Sequence, residues 1–198
     1  MAAAGYGAPP EGREAFRAEC EAIASAFETE GAVGVAARYA SPARVQFQKK
    51  NPRSWAEFAA ALGEHSAPGA ALTMRGVQAA RPSLYHLQDE LAQVRTPVLI
   101  VVGDEDEGCL ETALMLKRTI GPSGLAILPR TGHTANLEEP DVFNSVVDRF
   151  LVAVEREAWR PRDPRSRSAS TTGIGPHHLQ RPIPGSRSRL TCRWKHRS

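Results

Sequence analysis

The sequence predicts an α/β protein in which a long helical stretch leads into a strand–helix–strand–helix unit. Three observations predict it. Residues 1–95 carry helical periodicity almost throughout. At 96–103 the texture changes to "TPVLIVVG", a β-branched apolar run ended by glycine, the signature of a strand buried on both faces in a parallel sheet. An amphipathic segment, "CLETALMLKRTIG", then separates that run from a second one, "GLAILP", at 124–129. Two parallel strands joined by a helix and followed by another form a βαβα unit with a right-handed crossover.

The elements follow in order. "GYGAPP" marks a turn near the start. In 11–30, Phe16, Cys20, Ile23 and Phe27 share one helical face. Residues 31–40 read as a second, glycine-weakened helix, and 41–52 as a linker. The next helix starts near Ser54, whose spacing to Glu57 is that of a capping box. A further helix is expected around 67–80, and a short helix or turn over 83–94. The last helix, from "EPDVF" to Trp159, carries a wide apolar stripe of Val142, Phe143, Val146, Val147, Phe150, Leu151 and Val154.

A chain of 198 residues with 41% hydrophobic and 24% charged content reads as one soluble domain with tails. It has no apolar run of about 18 residues, so no membrane span or membrane partner is expected. The N-terminus lacks the basic start and apolar core of a signal peptide. Cys20, Cys109 and Cys192 are few and scattered, which predicts reduced thiols in the cytoplasm and neither a disulfide framework nor a metal site. From Trp159 onward ten basic residues face one acid, whereas residues 1–158 carry a net −6, so the basic character belongs to the tail. That tail, rich in Arg, Ser and Pro, is expected to be disordered and solvated, with nucleic acid not expected as its partner.

Functional groups in open α/β sheets gather at the carboxyl ends of strands. Two loops leave such ends here: "GDEDEG" at 103–108 and "RTGHT" at 130–134. A carboxylate on the first and His133 on the second would form the acid–base half of a Ser-His-Asp arrangement. Asp104, Glu105, Asp106 and Glu107 all compete for the acid, and any of them also suits a helix start as a solvated charge. Cys109 falls in the first turn of the following helix and is expected to be structural. His65, His86, His177, His178 and His196 show no metal-ligand spacing. Trp55, Phe58, Met74, Tyr85 and Leu87 suit either an apolar pocket or plain helix packing.

The run "TPVLIVVGDED…LAILPRTGHTANLEEPDVFNSVVDRFL" resembles the last two strands and last helix of the α/β-hydrolase fold family. The resemblance implies a serine hydrolase ancestry. It assigns the acid to Asp106, three residues after Gly103, and the base to His133. It also implies a small-molecule substrate, an ester or related acyl or C–C bond, with no cofactor or metal. Residues 1–95 would hold the end of a core strand plus a helical cap, 96–158 the C-terminal core segment, and 159–198 the disordered tail.

The family's nucleophile elbow, G-x-S-x-G, does not occur in this sequence. "GPSG" at 121–124 is not one, since Ser123 is expected in a turn. Ser25, Ser41, Ser54, Ser66 and Ser83 lack flanking glycines. The expectation is an N-terminally truncated fragment, inactive or weak by itself. The alternative is a non-catalytic interaction remnant, or one half of a split hydrolase. Two strands would leave unpaired edges, which predicts low stability and association through the sheet edge, with another polypeptide or a second copy.

Overall fold

The computed structural model describes residues 8–38 and 42–167. Residues 1–7 of the expected core-strand end, Ser41, Cys192, His177, His178, His196 and most of the basic tail lie outside the described residues. The chain divides into Met1–Arg162 and Asp163–Ser198. In the second unit a 3-10 turn at Pro164–Arg167 accompanies the Arg165–Asp163 ion pair.

The first unit begins with α1 (Arg13–Arg38), which breaks at Gly31, where φ is 70°. A residue with a Cβ is strained there, so the glycine lets one helix become two in succession. Ala24, Phe27, Ala32 and Val35 from both halves close over Ala71 of α4 (Ala67–Thr73). Arg75, in a π-helical turn at Met74–Gln78, grips Glu21 and Glu28 of α1.

The expected linker at 41–52 is instead folded. A 3-10 turn at Pro42–Arg44 runs into α2 (Val45–Lys50). The reason is Phe47, wholly buried and met edge-on by Trp55 and Phe58 of α3 (Pro52–Gly63). Burying such a ring outweighs the poor helical signal of a short, polar segment. The start of α3 also differs from expectation. Asn51, not Ser54, is the N-cap: its side chain accepts from the Ser54 amide, and Pro52 fills the first helical position.

A 3-10 turn at Leu84–Leu87 and α5 (Gln88–Ala92) then lead to β1 (Val98–Gly103). Next come α6 (Glu107–Thr119), β2 (Ser123–Leu128), α7 (Ala135–Glu138) and α8 (Pro140–Glu155). The two strands pair in parallel, Val98 opposite Ser123 through Gly103 opposite Leu128. Ile100 and Val102 of β1 pack with Cys109, Ala113, Leu116 and Ile120, forming the second core.

Burial on both faces holds only in part. Ile127 of β2 is 45% exposed, and the stripe on α8 is half-covered at best, with Val142 and Leu151 exposed, as is Val152 outside the stripe. On the Leu99 side of the sheet, Trp159 lies against Gly124 and stacks edge-on with Phe150. Among the described residues the sheet has two strands, so each keeps one unpaired edge. Ser123 is not in a turn. It opens β2, buried, with its hydroxyl bonded to the Ile120 carbonyl.

Candidate functional site

Both loops at the carboxyl ends of β1 and β2 cross at close range. A Cβ on Gly103 would collide with the Thr131 carbonyl oxygen, and one on Gly132 with that of Ala43. Glycine at these two positions is what allows the backbones to touch. The crossing is stitched by hydrogen bonds: Asp104 N–H to the Leu128 carbonyl, Glu105 N–H to that of Thr131, and Thr131 N–H to the Asp104 carboxylate. Thr131 is completely buried at the centre of this seam.

The seam brings Asp106 Oδ2 to 2.8 Å from His133 Nδ1. Asp106 is 6% exposed, while the His133 side chain keeps 29% of its surface in solvent. The other candidate acids are placed differently. Asp104 serves the loop seam, Glu105 accepts from Gln46, and Glu107 is exposed in the first turn of α6.

Burial opposes ionisation of Asp106, but it is outweighed. Hydrogen bonds from His133 and Cys109, with the charges of His133 and Arg44, hold the carboxyl below its usual range. An ionised Asp106 only accepts, so the short bond requires the proton on Nδ1. With Nδ1 so engaged, Nε2 is the ring nitrogen left to exchange a proton with a reacting group.

Cys109 Sγ lies 3.8 Å from the same Nδ1. It is therefore on the Asp106 side of the ring, away from Nε2. Burial, reinforced by Asp106, pushes its thiol up to about 12. This is the setting of a structural cysteine and not of a nucleophile. Asp106, Cys109 and His133 place donor atoms within 4.8 Å of one another, a spacing that a soft divalent cation fits. Ligation would have to strip the raised thiol proton and break the His133–Asp106 bond, so the chemistry of this donor set favours the hydrogen-bonded cluster.

Several contacts at the site were not legible in the sequence. The His133 amide donates to Ala43, and Lys50 of α2 reaches Glu139, so the supposed linker abuts the histidine loop. Buried Glu138, the last residue of α7, accepts from the Gly132 and Thr134 amides and from the Thr134 hydroxyl. The Thr134–Glu138 spacing at a helix start was the available signal, close to a capping box.

The aromatic and apolar candidates do not converge on one pocket. Trp55 and Phe58 enclose Phe47, and the Tyr85 hydroxyl is 3.4 Å from that of Thr112. Met74 lines a cavity of about 530 Å³ with Ile23, Phe27, Leu62 and His65, among α1, α3 and α4. Ser83 is buried and bonded to Ala8, and Ser66 caps α4.

No family model matches the chain. A putative 2-succinyl-6-hydroxy-2,4-cyclohexadiene-1-carboxylate synthase of Bacillus subtilis is 30% identical over 74 residues, which are 37% of this chain and 26% of that protein. Among solved structures, MenH from S. aureus superposes with a TM-score of 0.68 at 19% identity, over 75% of this chain and 55% of that one. A thermophilic esterase from Thermogutta terrifontis gives 0.58 at 21% identity, over 77% and 52%. A hydrolase from Pseudomonas aeruginosa gives 0.52 at 20%, over 73% and 51%. The chain thus has a partial α/β-hydrolase fold. It spans about a quarter of the curated relative and about half of each of these structures.

Proposed function

We propose that this chain carries the acid–base half of a serine hydrolase acting on a small-molecule ester or related acyl or C–C bond. The observation that carries the reading is the His133–Asp106 hydrogen bond at the carboxyl ends of adjacent parallel strands. In this reading His133 Nε2 takes the proton of a serine hydroxyl and returns it to the leaving group. Asp106 fixes the tautomer and stabilises the imidazolium. No metal or cofactor takes part. The helices before β1 act as the cap, and the contact of Ala43 with the His133 amide supports this.

The sequence of this chain has no G-x-S-x-G. Its own turnover is then confined to histidine-assisted attack by water, worth about 10²–10⁴-fold where a substrate is positioned. The test is a panel of activated esters, chosen because one structural neighbour is an esterase. Wild type alone should hydrolyse these esters weakly at most, and His133→Ala should remove that weak activity. Strong turnover abolished by His133→Ala would mean that a serine of this chain does act.

A second reading is a non-catalytic interaction protein, or one half of a split hydrolase, pairing through its free strand edge. It is favoured by exposed Ile127 on β2 and by Val142, Leu151 and Val152 on α8. Mixing the chain with a polypeptide carrying G-x-S-x-G and further strands of such a sheet separates these cases. Activity only in the mixture supports the split enzyme, and binding without activity supports the interaction role.

A further inference from the structure

Glu138 is a buried carboxylate with no part in the proton transfers just described, yet its three hydrogen bonds all end on residues flanking His133. Oε2 accepts from the Gly132 amide at 2.6 Å. Oε1 accepts from the Thr134 amide at 3.0 Å and from the Thr134 hydroxyl at 2.9 Å. The amide between them, that of His133, is held separately by Ala43 at 2.7 Å. Three consecutive amides around the histidine are thereby fixed, two by one side chain.

We propose that Glu138 is a positioning residue: its carboxylate clamps the backbone on both sides of His133 and so aims the imidazole at Asp106. This rests on the reading of His133 and Asp106 as an acid–base pair. The chemistry favours a carboxylate over any other side chain. It has two acceptor oxygens and no donor, so it satisfies two amides at once, and its charge strengthens both bonds. The substitution Glu138→Gln would turn an N–H₂ toward one amide and lose that bond. The geometry also gives α7 a purpose. This single turn after the histidine returns Glu138 to the loop that precedes it.

A merely structural carboxylate would affect stability without affecting the imidazole, so the readout is the imidazole. In the full-length chain, the Nδ1–H proton of His133 bonded to Asp106 is followed by NMR, together with the ring nitrogen shifts that report the tautomer. Glu138→Gln is expected to speed solvent exchange of that proton by about tenfold, as loss of one charge-assisted hydrogen bond would. It should also mix the tautomers. Thr134→Ala, which keeps both amide bonds, should have a smaller effect in the same direction. Val35→Ala, a cavity in the α1 core, should lower the melting temperature and leave the proton as it was.

If Glu138→Gln and Thr134→Ala leave the exchange rate and tautomer unchanged, the inference is overturned. The same holds if Val35→Ala changes them equally. Asp106→Asn separates this from the underlying reading. If the proton is lost in Asp106→Asn but indifferent to Glu138, only the positioning role fails. If wild type shows no Nδ1–H proton that depends on Asp106, both fail.

Discussion

Asp106 Oδ2 and His133 Nδ1 meet at 2.8 Å although 27 residues separate them in the chain. They meet because β1 and β2 pair in parallel, ending level at Gly103 and Leu128, so each loop starts at the same height. The contact has a pH signature. The Asp106 carboxyl is held below the ordinary carboxylate range, with burial opposing and the bonds from His133 and Cys109 prevailing. A depressed carboxyl contributes stability that is present above the unfolded value and lost as pH falls through the folded one. Wild type should therefore lose stability below about pH 4 more steeply than Asp106→Asn. At neutral pH the variant should be less stable by about 1.5–3 kcal/mol. Thermal melts across acid to neutral pH check both, and parallel acid limbs would contradict the assignment.

Cys109 gives the opposite signature. Its thiol, raised from 9.0 to about 12 chiefly by burial, stays protonated in the folded chain over a range where the unfolded chain ionises. The unfolded state then binds fewer protons, so stability should fall as pH rises from about 9 toward 12. Reactivity follows too. At pH 8 Cys109 is held overwhelmingly as the thiol, and the residue is 4% exposed. Iodoacetamide followed by peptide mass spectrometry should leave Cys109 unmodified in native protein and label it in urea. Rapid native alkylation at Cys109 would refute the burial argument.

Phe47 tests the contact between the helical region and the histidine loop. Phe47→Ala should cost about 3–5 kcal/mol, the usual range for deleting a buried aromatic ring. It should also free the His133 amide, because Ala43, which binds it, lies on the turn that enters α2. Hydrogen exchange at residues 131–134 should rise in the variant. Protection there equal to wild type would mean that the loop is held without the 42–50 segment.

The sequence made the meeting of Asp106 and His133 legible and left its support obscure, for a physical reason. A continuous Val/Ile run ended by glycine has few alternatives to a parallel strand, and a strand end fixes where Asp106 and His133 project. Phe47 lies in a segment of Gln and Lys with no helical stripe, so its burial depends on Trp55 and Phe58, which come later in the chain. Asp104 and Asp106 look equivalent in "GDEDEG". The resemblance singled out Asp106, and the crossing of two loops gives the physical cause: one carboxylate stitches the seam and the other faces the histidine. Coverage of the sheet was likewise invisible. The apolar run of β1 reads the same whether or not both faces are buried.

Exposed Ile127 on β2 and Leu151 on α8, together with strand edges that stay unpaired among the described residues, argue for self-association. Free edges pair with other chains, and clustered apolar side chains lower the cost of doing so. Sedimentation velocity should give a mass that grows with concentration. Ile127→Lys should reduce that growth, because a charge on the strand opposes stacking of copies, whereas a lysine at exposed Val33 on α1 should not. Unfolding followed by circular dichroism should be broad and concentration-dependent, since a two-stranded sheet with one well-covered face has little cooperativity of its own. A sharp melt of a strictly monomeric chain would show instead that the helices alone complete the core, and the edge would then have no part in association.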